Sequence, residues 1–418
     1  MGVMKKKGVG LILVFLIITI LALFSTALLT RTISENNLAK RYQQSLKAFW
    51  LAEAGVQKAL WELNYGDWSE WDTDEEGNKV LASYPLGGWG EFSVSVSGVG
   101  TNQPTITSSG HIPTVSESNI SRSLLVKTAP QTQPLFTHAG FGNTSLTMSG
   151  NGKTDSYDSS LGPYGGDNIG SNGDVGTNGT SAGAITLSGN AQVNGDAGTG
   201  EGGTVSISGN AEVSGEITDN INRELPLVSS MDGYTSAQSL TDKGSYSLSG
   251  NSSDTISESG KYDSISLSAN SKLYIEGDVV LYTTSSSTAL NITGNAQIII
   301  NSGSSLTIYT DGKCQIAGNG IVNNTTTPSN LQIYSTYSGS SNGVKVSGNG
   351  DLYGAIYAPE TEVKITGNGD IYGSVVGDTV KVTGNGDLHY DEALANITTS
   401  SGKYTIEVWQ DQQNPYSL

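Results

Sequence analysis

The chain has 418 residues, more than one compact domain of ordinary size holds, so two or more units are expected. Only 14% of the residues are charged, 54 are glycine and the net charge is −18. That balance argues against a helical enzyme and against a nucleic-acid partner, which needs a basic surface to replace phosphate counterions. Cys314 is the only cysteine, which excludes an intrachain disulfide and a cysteine zinc site but not secretion.

Val9 to Leu29 carries no charge, and Lys5, Lys6 and Lys7 stand directly before it. At 1.5 Å per residue the segment is about 31 Å long, close to the hydrocarbon thickness of a bilayer. The lysines predict a cytoplasmic N-terminus and an exported remainder. A cleaved signal peptide is the competing reading, but its apolar core should be shorter. Leu38, Tyr42, Phe49, Ala52, Val56, Ala59 and Leu63 continue at helical spacing, so the span is expected to run on as an amphipathic helix until Asn64-Tyr65-Gly66.

"KKKGVGLILVFLIITILAL" followed by "LKAFWLAEAGVQKAL" resembles the N-terminal region of PilX-type minor pilins and the related pseudopilins of type II secretion. The resemblance covers about the first 65 residues, and its closing segment is Ala52, Glu53, Ala54 and Gly55 here. It implies cleavage by prepilin peptidase after Gly8, leaving Val9 first, with Gly10 as the fallback junction. It also implies other pilins or pseudopilins as partners. One position departs from the pattern. Major pilins carry Glu at the fifth mature residue, where it meets a neighbour's N-terminal amine; this chain has Leu13, or Phe15 if the cut follows Gly10.

Next, "WGEFSVSVSG" alternates Phe92, Val94 and Val96 against serines, a half-buried strand pattern. "TITSSG" from Thr105 and "RSLLVKT" from Arg122 are further strand candidates, forming a small pilin-like sheet. Gly66–Asn78 reads as a loop, and "TAPQTQP" up to Pro134 as a linker.

Beyond it a corner motif recurs. [Ser/Thr]-Gly-Asn or a close variant places asparagines at 151, 190, 210, 251, 295, 349, 368 and 385, with Asn270 and Asn319 in variant contexts. A period of about 20 to 25 residues marks a solenoid whose coils stack on one another. Val344 and Val346 point inward, Gly348-Asn349 turns a corner, and Leu352 re-enters the core. Val346, Ile365 and Val382 should stack, and the asparagines should hydrogen-bond along a ladder. A right-handed parallel β-helix satisfies these constraints. The last coils also resemble bactofilin-like β-helices, an architectural likeness that brings no catalytic residues.

The expected organisation is therefore mainly β: leader 1–8, pilin-like helix 9–64 with its span at 9–29, sheet region 65–128, linker 129–134, β-helix 135–395, and a cap strand with tail at 396–418. No catalytic constellation emerges, since the three histidines are scattered and Arg223 is the only arginine after the linker. No enzyme activity and no resident cofactor are expected. Asp351, Asp370 and Asp387 share one repeat position and should stack, relieved either by calcium or by Lys345, Lys364 and Lys381, each six residues earlier. Tyr353, Tyr372 and His389 form an aromatic strip with two open readings, a sugar-binding surface or stacking between coils.

The combined reading is a membrane-anchored minor pilin or pseudopilin, extracellular when assembled at a filament tip, displaying the β-helix toward surface glycans or neighbouring surfaces. A membrane-anchored envelope scaffold is the alternative, and a carbohydrate-active enzyme the third. N-terminal sequencing of the native protein should find Val9 first; a mature chain beginning near Thr30 would instead identify an ordinary signal peptide.

Overall fold

The computed structural model describes residues 7–412. It divides into two compact units: residues up to Gln131 together with those from Gly402, and Thr132–Ser401. The chain is mainly β, with one long N-terminal helix and extensive parallel sheet.

In the first unit, helix α1 runs unbroken from Lys7 to Tyr65. It stops where the sequence places a stop, with the Gly66 amide donating to the Glu62 carbonyl at 3.1 Å. Every residue from Gly10 to Gln44 is exposed, and the segment includes a window of mean hydropathy 2.9. From Ala48 onward the helix lies on a sheet formed by β1 (Asp72–Thr73), β2 (Lys79–Pro85), β3 (Glu91–Ser97), β4 (Thr105–Ile112) and β5 (Ile120–Pro134). Neighbouring strands from β1 to β5 pair antiparallel. Phe92, Val94 and Val96 face inward as expected and pack with Leu51, Ala52, Val56 and Ala59. Small residues make this approach close. A Cβ on Gly110 would overlap the Ala48 carbonyl oxygen, and one on Gly55 would overlap the Ser108 hydroxyl.

Several expectations for this unit change. Leu38 and Tyr42 are exposed, because the sheet reaches only the last turns of the helix. Gly66–Asn78 is not entirely loop: Asp72 and Thr73 pair with Val80 and Lys79, and Trp71 is buried. The linker at 129–134 is the end of β5. The tail does not cap the coils, since the strand Thr398–Gln412 lies beside β5. It is tied to α1, with Asn64 and the Tyr404 backbone exchanging hydrogen bonds of 3.0 and 2.6 Å. The Trp409 indole also donates to Glu53 at 3.2 Å.

The second unit is a stack of parallel coils around an apolar core. The register confirms the expected contact of Val346 with Ile365 and of Ile365 with Val382. That column runs further in both directions. From one end it reads Leu248, Leu267, Ile292, Ile316, Val346, Ile365, Val382, Met148, Leu187 and Ile207. The coils therefore do not stack in sequence order. The chain enters at Gly140, two levels in from one end of the stack, and winds outward to that end at Thr218. It then crosses through residues 219–245, which include helix α2 (Asp232–Gln238), and starts again at the opposite end with Tyr246. The later coils fill the gap until Ile371–Gly384 pairs along Gly140–Gly150.

The crossover lies over a second apolar cluster. Val228, Met231, Tyr234 and Ala237 cover Tyr282, Tyr309, Tyr334 and Tyr357. Tyr309 and Tyr334 stack at 5.1 Å, and the Tyr357 hydroxyl donates to the Pro226 carbonyl at 2.8 Å. Without this cover, a column of large rings would face water.

The coil order has a direct chemical test. Thr383 and Ser149 are register partners on adjacent parallel strands, which lie about 4.8 Å apart. A chain carrying Ser149→Cys and Thr383→Cys should form an efficient intramolecular crosslink with a short bismaleimide, migrating faster on a denaturing gel. Coils stacked in sequence order would keep these positions at opposite ends and yield none.

Candidate functional site at the seam of the stack

The residues singled out at the repeat corner converge where the last coil meets the first. Each Gly-Asn corner projects its amide outward, and the amides form the expected ladder. In the longer run, Asn368 donates to Asn349 at 2.9 Å, Asn385 to Asn368 at 2.7 Å, and Asn151 to Asn385 at 2.6 Å. Asn190 then donates to Asn151 at 2.7 Å and Asn210 to Asn190 at 2.9 Å. A shorter run joins Asn295, Asn270 and Asn251 at 3.1 and 2.9 Å. All donate in one direction, so each amide polarises the next.

Two residues after each asparagine, Asp351, Asp370 and Asp387 stack as expected, but their repulsion is relieved differently. Asp351 Oδ1 accepts the Asp370 amide at 3.1 Å, and Asp370 Oδ1 accepts the Asp387 amide at 2.9 Å. Asp387 Oδ1 accepts the Lys153 amide of the first coil at 2.7 Å. Each carboxylate therefore caps the next coil's backbone. Among the described residues no ion pair joins Lys345, Lys364 or Lys381 to these aspartates. Lys381 pairs instead with Glu362 at 2.5 Å; burial works to raise that carboxyl's pKa, but Lys381 together with the Asn342 amide and the Lys364 charge holds it below its usual range. Asp387 shifts the other way: burial raises its pKa, partly offset by the Lys153 amide. The same device recurs in the first coils, where Asp174 accepts the Asp196 amide at 2.8 Å and Asp196 the Glu216 amide at 2.7 Å.

The aromatic strip also forms. Tyr353 and Tyr372 stack at 4.2 Å with rings 4° from parallel, and His389 stacks on Tyr372 at 4.6 Å. Both faces of Tyr372 are thus covered by neighbours. Burial raises the pKa of both phenols, keeping them neutral at physiological pH.

Two members of the cluster were not visible in the sequence reading. Asp155 is the register partner of His389, and its Oδ1 lies 2.6 Å from His389 Nδ1. Tyr164, on the loop after the first coil, donates to Asp155 Oδ2 at 2.6 Å and lays its ring 4.1 Å from that of His389. Asp155 lies 234 residues from His389 in sequence and Tyr164 follows nine residues after Asp155, so no local spacing could have joined them to His389. The other histidines lie elsewhere. His111 bonds Ser93 within the antiparallel sheet, and burial pushes buried His138 down to about 3, reinforced by Arg223. Gly8 and Val9 lie in the first turns of α1.

A family model described as a domain of unknown function (DUF7305) matches residues 209–397. The match spans the end of the first coils, the crossover and the later coils, and omits Asp155 and Tyr164. No curated protein matches the chain. Among solved structures, the competence-associated pilin ComZ from Thermus thermophilus aligns over 88% of this chain and 97% of that one, at 12% identity and a TM-score of 0.30. A superposition that loose does not define a shared fold.

The capping role of the aspartates can be separated from their charge. Asp370→Asn keeps an acceptor for the Asp387 amide, whereas Asp370→Ala leaves that amide unpaired. In urea unfolding, the alanine variant should be about 1–2 kcal/mol less stable than the asparagine variant; equal stabilities would mean the amide is satisfied by other means.

Proposed function

We propose that this chain is a PilX-like minor pilin or pseudopilin that displays a right-handed β-helix outside the cell. The observation that carries this reading is α1: an exposed apolar segment long enough to cross a bilayer continues unbroken into Ala52–Gly55, which seat on an antiparallel sheet. A simple anchor has no need of such a rigid extension. The right-handed winding follows from the strong preference of parallel β connections for that hand.

The proposed partners are prepilin peptidase, which would cut after Gly8, and other pilins packed against the exposed helix. The membrane segment would leave both folded units on the outer side, as the lysine cluster directs. The exposed coils would serve as a spacer or an adhesive surface toward glycans or neighbouring surfaces rather than as a catalyst.

Leu13 argues for a terminal place in the filament. The chain's own amine could pair with a Glu from a neighbour, but Leu13 offers no carboxylate in return. An unpaired ammonium in an apolar filament core costs several kcal/mol. Subunits would therefore pack well on one side of this chain and poorly on the other. The coil stack, about 43 Å long for nine steps of 4.8 Å, would also crowd a shaft if repeated in every subunit.

Gold-labelled antibody against the coils, viewed by electron microscopy, should mark filament tips, with pilins copurifying. Even labelling of the shafts would overturn the terminal placement. Label on cells without filaments, and no copurifying pilin, would favour the anchored scaffold.

A further inference from the structure

We propose that His389, Asp370 and Asp387 bind a divalent first-row transition ion such as Zn²⁺, which clamps the seam between the last coil and the first. The His389 side chain is 6% exposed, and its orientation is set by Asp155. Because Asp155 accepts from Tyr164 through one oxygen and faces Nδ1 with the other, Nδ1 carries the imidazole proton. In the neutral ring Nε2 then presents its lone pair on the opposite side.

On that side lies the Asp370 carboxylate. Asp370 Oδ2 is 3.9 Å from Nε2, beyond hydrogen-bond range. One ligand atom each from Asp370, Asp387 and His389 lies within 4.8 Å of the others. The Oδ1 atoms are already held by the amides of Asp387 and Lys153, which orient both side chains. Neither Oδ2 makes a hydrogen bond among the described residues. Three potential ligand atoms thus converge on one place, an arrangement that a cation can bridge.

The donor set selects the ion. Calcium favours six to eight oxygens, whereas one imidazole with two carboxylates suits zinc and its neighbours, with the remaining position open to water. The carboxylate on Nδ1 is the outer partner that commonly orients a metal-binding histidine. Asp351, the expected third aspartate, lies outside the cluster, and His389 takes its place. Asp370 and Asp387 come from successive turns of the later coils, while His389 leans on Asp155 of the first coil. An ion here would tie together the strands that close the permuted stack.

The test uses the full chain in detergent, stripped with chelator and dialysed against micromolar Zn²⁺, with bound metal measured by mass spectrometry and stability by thermal unfolding. The wild type should retain one ion per chain and melt higher with Zn²⁺ than without it. His389→Tyr places in the last coil the residue that the two preceding coils carry, so the stack should persist while zinc affinity falls at least tenfold. Asp387→Asn preserves the amide cap and should weaken binding similarly, whereas Asp351→Asn should leave it unchanged. The proposal is overturned if the wild type binds no zinc, if His389→Tyr and Asp387→Asn bind as the wild type does, or if Ca²⁺ binds tighter than Zn²⁺.

Discussion

Backbone approach at the coil corner is the constraint on which the second unit depends. At each step the corner glycine of one coil rests against the carbonyl of the corner glycine below it. A Cβ on Gly367 would overlap the Gly348 oxygen, one on Gly384 the Gly367 oxygen, and one on Gly150 the Gly384 oxygen. Gly367 also sits at φ +141°, a region that side chains disfavour. With no side chain at this position, the coils close to strand spacing, and the following asparagine is held where its amide reaches the next. The aspartate caps and the aromatic stack inherit the same repeat. Ala269 shows where the rule relaxes: it replaces the corner glycine at φ +60°, yet Asn270 keeps its place in the ladder.

Parallel coils expose unpaired backbone at both ends, and the two ends are treated differently. At the end that begins with Tyr246, Asp254 takes the register position of buried Leu273, and its carboxylate accepts the Tyr246 hydroxyl at 2.8 Å. A carboxylate pointing where the next coil would place an apolar residue discourages another molecule from adding there. The opposite end carries no such charge at the equivalent place, where Val213 stands, and Ile207 and Ile217 are exposed. Continuation of the column is thus blocked from one side only.

The sequence showed the repeat but not its order, and the reason is physical. Any Ser-Gly-Asn corner can stack on any other, because the contact is backbone on backbone and the alternating pattern is shared. A finer signal was present. Gly-Asn-Gly triplets occur at Gly318–Gly320, Gly348–Gly350, Gly367–Gly369, Gly384–Gly386 and Gly150–Gly152, and these coils are contiguous in the stack. The second glycine packs like the first, since a Cβ on Gly386 would overlap the Gly369 oxygen and one on Gly152 would lie 2.7 Å from the Gly386 oxygen. A triplet near the chain's start matching those near its end therefore marked the seam. The helix stop, the β3 alternation and the aromatic strip were legible because each depends on local spacing. Strand β2 was not, since its register shifts between Leu81 and Tyr84 and interrupts the alternation.

The permuted order and the path of the final strand meet the same topological need. The strand Thr398–Gln412 returns to the sheet that β5 leaves, so in chain terms the coils are an insertion between two neighbouring strands. An insertion begins and ends near one place, yet a solenoid wound in sequence order separates its ends by its full length. Entering inside the stack rather than at an end removes the conflict: Gly140–Gly150 and Ile371–Gly384 are paired neighbours, and the second unit begins and ends shortly before the one and after the other. The cost is one long crossover and a closure between residues 234 positions apart. Because closure entropy grows only logarithmically with loop length, the paired backbone and apolar column at the seam can offset it. The coil stack can therefore be carried by a small helix-and-sheet unit without separating that unit's own strands.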